Sequence, residues 1–214
     1  MKSVRKIKPS KKGSFRGNFI SQKVGKTIQY ESLLERDFMQ LLEFDPLIQR
    51  YDSQPLEINY RYKGRKRRYY PDFKAKTING EIIIYEVKPK TKLKLEENLI
   101  KFEAGSLFCE KNELHYKVVT EKDIRKGNLI SNLELLREVN SFQTNHKVME
   151  QILYILKQVE KSSKKNLKES IENITDAEFE GNLYYLIYNH KINVDLISEP
   201  ISDNTILSLE GWDK

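Results

Sequence analysis

Three residues in this chain have the types and spacing for phosphate chemistry: Asp72, Glu86 and Lys88. Asp72 follows Pro71 in a strand-like stretch, 69–77, and Glu86-Val87-Lys88 stands at the end of the next, 81–87, across an Asn79-Gly80 turn. Side chains on a strand alternate with period two, so Glu86 and Lys88 point to the same face. Two carboxylates and an ammonium can then converge at the end of a hydrophobic hairpin. Carboxylate oxygens suit hard divalent cations such as Mg²⁺, which would hold a phosphate and lower the pKa of an attacking water. Lys88 would place positive charge beside the phosphorus. That set predicts phosphodiester hydrolysis without a covalent enzyme intermediate. The bland reading is a turn aspartate and a solvated Glu-x-Lys. Against it, both charges follow a buried Ile82-Ile83-Ile84 run, where an unpaired charge is costly.

A third carboxylate comes from a helix expected over residues 31–44. Leu33, Leu34, Phe38, Leu41, Leu42 and Phe44 recur at helical spacing, and Asp45-Pro46 stops the pattern. Glu31 and Glu35 are four apart, so they share one face, and like charges there repel by a few tenths of a kcal/mol. Glu35 is more central in the apolar pattern and is the favoured ligand. Glu31 fits an acid favoured by the dipole at the helix N-terminus.

The elements that position these residues follow from periodicity. Short strands are expected at 48–51, 56–62, 69–77 and 81–87, a helix over 93–111 and a strand over 114–120. That order predicts an α/β domain with a mixed sheet. A basic run, 61–68, contains Arg61, Lys63, Arg65, Lys66, Arg67 and Arg68, six of eight residues, and frames the acids as a phosphate backbone would require. Residues 1–29 carry nine Lys or Arg and no acid, reading as a basic arm that hardens near 15–30. Past residue 127 the pattern turns mostly helical, over 129–139, 146–159, 166–174 and 178–189. A lysine-rich joint is expected at 161–168 and a strand pair or wing over 191–200. Three short helices and a small β element resemble a winged-helix module, which binds DNA or protein. The expected division is a flexible arm over 1–26, a nuclease-like domain over 27–126 and a helical, winged-helix-like partner-binding domain over 127–214.

Composition narrows the classes. The 214 residues are 38% hydrophobic with twelve Tyr and nine Phe, too apolar and aromatic for a disordered chain. The formal charge is +7 and the isoelectric point near 9.2, making a polyanion the first partner to consider. The single Cys109 excludes an internal disulfide and fits a reducing cytoplasm. No signal-peptide pattern or membrane-length apolar run is legible. His115, His146 and His190 lie far apart, and there is no Cys cluster or Walker-type loop, which argues against zinc and nucleotide hydrolysis.

Pro71-Asp72 followed by Glu86-Val87-Lys88 resembles the PD-(D/E)xK motif of restriction-endonuclease-like nucleases. With Glu31-Ser32-Leu33-Leu34-Glu35, Gln54-Pro55-Leu56, Tyr60, Asp72-Phe73 and Lys88-Pro89, the string over roughly 25–125 is similar to the TnsA endonuclease of heteromeric cut-and-paste transposons. The resemblance implies a restriction-endonuclease-like sheet with flanking helices, and Mg²⁺ (with Mn²⁺ able to take its place) held by Glu35, Asp72, Glu86 and the Val87 carbonyl. Lys88 would complete the site. Some relatives carry Gln at the position of Glu86. It further implies cleavage of the non-transferred strand at the 5′ ends of a transposon in double-stranded DNA, alongside a DDE-type transposase and an ATP-dependent regulator that contacts the C-terminal domain. A stand-alone phage or restriction nuclease, or a non-catalytic DNA-binding scaffold, are the alternatives.

Overall fold

A computed structural model describes residues 15–139 and 144–209. The chain divides into two compact units at Arg125/Lys126.

The first unit opens with an antiparallel hairpin, β1 (Gly17–Ser21) and β2 (Lys26–Tyr30). It leads into α1 (Leu33–Phe44), β3 (Ile48–Ser53), β4 (Ile58–Tyr62), β5 (Arg65–Tyr69), β6 (Phe73–Thr77) and β7 (Ile82–Val87). A single 3-10 turn, Lys90–Lys92, precedes α2 (Glu96–Lys111), β8 (His115–Val119) and the short α3 (Glu121–Ile124). The main sheet has the order β3-β6-β7-β8, with β7 and β8 parallel and the other pairs antiparallel. This mixed sheet with flanking helices is a restriction-endonuclease-like arrangement, and β4–β5 forms a two-stranded arm of its own.

Ser32 starts α1 by accepting the Glu35 N–H at 3.2 Å, the Ser-x-x-Glu signature of a helix N-terminus. Phe38 docks the helix on one face of the sheet, its ring centroid 5.6 Å from Phe73 and 4.9 Å from Tyr85. On the other face α2 lies so close to β8 that a Cβ at Gly105 would come within 2.6 Å of the Tyr116 ring. Covered on both faces, β7 buries Ile83 and Ile84, each worth about 1.5–3 kcal/mol over exposure.

Three expectations change here. The strand expected over 69–77 starts only at Phe73, and Tyr69 instead closes β5 in a different sheet, because Pro71 lacks an N–H for the ladder and holds Tyr70 out of register. The helix expected from residue 93 begins at Glu96, after the 3-10 turn. The arm boundary expected at residue 26 falls inside the β1–β2 hairpin, and residues 1–14 lie outside the described residues. The hairpin finds its acids on later elements. Buried Glu43 of α1 accepts from Ser21 Oγ–H at 2.8 Å and from the N–H groups of Gln22 and Lys23 at 2.7 and 2.8 Å, while Lys26 pairs with Asp52.

The second unit comprises α4 (Leu129–Val139), α5 (His146–Val159), β9 (Lys161–Ser163), α6 (Lys164–Glu169), α7 (Asp176–Tyr188), β10 (Asn193–Val194) and β11 (Ile206–Ser208). Its sheet has the order β10-β11-β9, antiparallel throughout. From α5 to β11 this is the helix–strand–helix–helix–strand–wing–strand order of a winged helix, with α4 added and packed on α7. Asn132 of α4 pins the wing, donating to the carbonyls of Leu196 and Glu199 at 2.9 Å and accepting the Ile201 N–H at 3.0 Å. The joint expected at 161–168 is β9 and α6 instead. Lys164 is buried there because Glu180 and Asp203 pair with it and the Tyr184 ring lies beneath it. The wing closes on β11, beyond the stretch expected to hold both strands, since 195–205 loops out between them.

Candidate active site

Asp72 lies one residue before β6, and its Oδ2 accepts the Val87 N–H at 2.8 Å, which ties it to the end of β7. Glu86, 2% exposed, is the penultimate residue of β7. Lys88 is fixed by the parallel neighbour, its N–H donating to the Val119 carbonyl at 3.0 Å. The period-two geometry brings the Lys88 Nζ to 2.6 Å from Glu86 Oε1 and 3.6 Å from Asp72 Oδ2. The same ammonium donates to the Val87 carbonyl at 3.4 Å. Two carboxylates and one backbone carbonyl thus converge on a single cation.

The electrostatics record how crowded this is. Burial first, then the charge of Glu86, hold the Asp72 carboxyl well above the usual carboxylate range, with Lys88 and the Val87 N–H pulling the other way. Burial likewise raises Glu35, against hydrogen bonds from the Glu31 backbone and Ser32. At Lys88 burial disfavours the charge, but Asp72, Glu86 and Glu35 outweigh it, so the ammonium is held above its ordinary value.

Glu35 stands apart from the other three. Its carboxylate accepts the Glu31 N–H at 2.8 Å and the Ser32 hydroxyl at 2.9 Å, closing a capping arrangement at the start of α1. Asp72 and Lys88 still feel its charge, whereas Glu31 leans toward Arg16 at 3.5 Å. Among the described residues no three Asp, Glu, His or Cys side chains are arranged to hold one ion as they stand. The cause is visible: Lys88 fills the focus of the Asp72 and Glu86 oxygens, and Glu35 is engaged at the helix end. The donor set itself fits a hard divalent cation. It consists of carboxylate and carbonyl oxygens already gathered round one positive charge.

Behind the site lie residues that periodicity does not single out. Tyr69, 3% exposed at the end of β5, donates its O–H to Glu86 Oε2 at 2.5 Å and lies 2.9 Å from the Tyr116 hydroxyl. Gln54 takes a left-handed φ of 44° and donates its N–H to the Asp72 carbonyl at 2.8 Å. Its Oε1 is buried with no hydrogen-bond partner among the described residues. Nothing in the spacing of the sequence marks either tyrosine. Lys90 and Lys92, exposed just past Lys88, were also passed over, although alternate lysines from 88 to 94 were there to be read.

The six basic residues of 61–68 are all exposed on the β4–β5 arm. Cross-strand partners share a face, so the register divides them. Arg61, Lys66 and Arg68 lie on one face. Arg65 and Arg67 share the other with Tyr60, Tyr62 and, at the base, Tyr69. Lys63 sits at the turn, with a left-handed φ of 47°, and pairs with Glu96 at 3.3 Å. Arg68 pairs with Glu57 at 3.7 Å.

Residues 45–121 match the family model described as TnsA-like endonuclease N terminal. The match runs from the end of α1 to the first residue of α3. It includes Asp72, Glu86, Val87 and Lys88 and leaves Glu35 outside. No curated protein matches the chain.

Proposed function

We propose, given that residues 45–121 match the model of a TnsA-like endonuclease N-terminal domain, that this protein is a metal-dependent DNA endonuclease cutting the non-transferred strand at the 5′ ends of a transposon. One observation carries the reading: the Asp72 and Glu86 carboxylates and the Val87 carbonyl converge on the Lys88 ammonium. Those oxygens, joined by Glu35 on release from its cap, would hold Mg²⁺ or Mn²⁺. The bound ion supplies charge against the scissile phosphate and acidifies the attacking water. Asp72 and Glu86 then act as ionised ligands. Lys88, held protonated, turns its positive charge to a phosphate oxygen. The β4–β5 arm and the lysines at 90 and 92 bind and orient the flanking backbone.

Charge distribution supports a division of labour between the units. Residues 1–125 hold 28 basic against 17 acidic residues, a balance of +11, and 126–214 hold 10 against 14, a balance of −4. In the second unit α7 takes the place where a winged helix would present its recognition helix. It has no Lys or Arg and is mostly buried, with α4 and α5 packed on it. This favours a protein partner for that unit, in line with contact to an ATP-dependent regulator, while a DDE-type transposase cuts and joins the other strand.

The test is strand-specific cleavage of an end-containing DNA in Mg²⁺ with and without the transposase partner. We expect 5′-strand cutting only with the partner, and none from Asp72→Ala. Cutting retained by that variant sinks the assignment, and cutting of generic DNA without a partner points to a stand-alone nuclease.

A further inference from the structure

We propose that Tyr69, backed by Tyr116, is a positioning residue that sets Glu86 for the ion; this rests on the endonuclease reading above. Glu86 is buried and, among the described residues, each of its carboxylate oxygens has one donor, Lys88 at 2.6 Å on Oε1 and the Tyr69 hydroxyl at 2.5 Å on Oε2. A cation entering among the Asp72, Glu86 and Val87 oxygens displaces the lysine. The phenol is then the donor that keeps the carboxylate oriented, with Oε2 engaged and Oε1 left for the ion.

Tyr69 suits this task because it cannot move alone. It is paired with Ile58 at the base of the β4–β5 arm, and its hydroxyl meets that of Tyr116 at 2.9 Å. The Tyr116 ring in turn rests on the bare backbone of Gly105, where an added Cβ would come within 2.6 Å. A continuous line of packing therefore runs from α2 through two phenols to one carboxylate oxygen. Its last member before the carboxylate is also the last residue of the arm that carries Arg65 and Arg67. Of the proposed ion ligands, Tyr69 hydrogen-bonds Glu86, so it acts on the reaction through that residue.

The experiment uses the full chain. Tyr69→Phe is expected to weaken Mn²⁺ binding, followed by calorimetry without DNA, about tenfold. It should raise the Mg²⁺ needed for half-maximal cleavage by a similar factor and leave affinity for end DNA in EDTA unchanged. Tyr116→Phe is expected to shift both metal readouts the same way by a smaller factor, and it carries the test should Tyr69→Phe not fold. A folded Tyr69→Phe with wild-type Mn²⁺ affinity overturns the proposal, as does an unfolded one alongside a Tyr116→Phe that matches wild type. Equal reductions in metal and DNA affinity also overturn it, because they signal general loosening. A wild-type protein that neither binds Mn²⁺ nor cuts brings down the endonuclease reading itself. One that binds and cuts while both variants match it brings down this inference alone.

Discussion

Asp72 does two things that a single substitution can separate. Its carboxylate is an ion ligand in the proposed reaction, yet without the ion it is half-buried in the field of Glu86 and held well above the usual carboxylate range, chiefly by desolvation. Asp72→Asn removes that charge and keeps an oxygen for the Val87 N–H. We expect cleavage to be lost while the metal-free protein gains about 1 kcal/mol, or roughly 4 °C in melting temperature. The pH dependence follows from the same shift. A carboxyl raised in the folded state binds its proton more tightly there, so its contribution is full below the unfolded value, about 4, and is lost as pH rises through the folded one. Burial raises Glu35 in the same direction. The metal-free wild type should therefore lose stability relative to Asp72→Asn as pH rises above the unfolded value, and Mg²⁺ should stabilise it more the higher the pH. Calorimetric melting of both proteins, with and without Mg²⁺, checks this. A gap between them that does not widen with pH contradicts it.

At the scale of elements, the β4–β5 arm holds the next prediction. A sequence shows six bases in eight residues but not that pairing splits them over two faces. Among the described residues Arg61, Arg65, Lys66 and Arg67 make no ion pair that competes for their charge. Of these bases only Arg65 and Arg67 share the face that ends in Tyr69, whose hydroxyl donates to Glu86. Arg65→Ala/Arg67→Ala should therefore reduce cleavage more than Lys66→Ala/Arg68→Ala. Each phosphate that a variant no longer neutralises should lower the slope of log affinity against log salt by about 0.9. Equal reductions from both pairs, measured by salt titration and cleavage rate, would show that the faces are equivalent. The arm also marks where sequence reading runs out. α1 and β7 were legible because each carries an apolar pattern or run over several residues, and Glu86 and Lys88 follow from alternation. β5 did not read as a strand because four of its five residues are basic, and β6 starts later than expected because Pro71 breaks the ladder. β10 and β11, two and three residues long, are too short to show a period. Tyr69 and Tyr116 are 47 positions apart among twelve tyrosines, and only the packing of α2 and β5 on the sheet makes them one pair.

Across the whole molecule the basic excess lies in one unit. Residues 126–214 are net acidic, α7 is covered and without bases, and buried Lys164 is taken up by Glu180 and Asp203. A winged helix that reads DNA lays an exposed helix in the major groove. Here α4 covers that helix, so DNA affinity should rest on the first unit even though the second has the order of elements of a reader. Lysine acetylation of the full protein with and without end DNA tests this directly. Lys63, Lys66, Lys90 and Lys92 are exposed in the first unit and should be protected by DNA, less so as salt rises. Lys157, Lys161, Lys165 and Lys191, equally exposed in the second, should react at the same rate with and without it. Protection of Lys161 and Lys165 by DNA alone would make the second unit a DNA contact and end its assignment to a protein partner. Protection that appears only when the transposition regulator is added would place that partner on it.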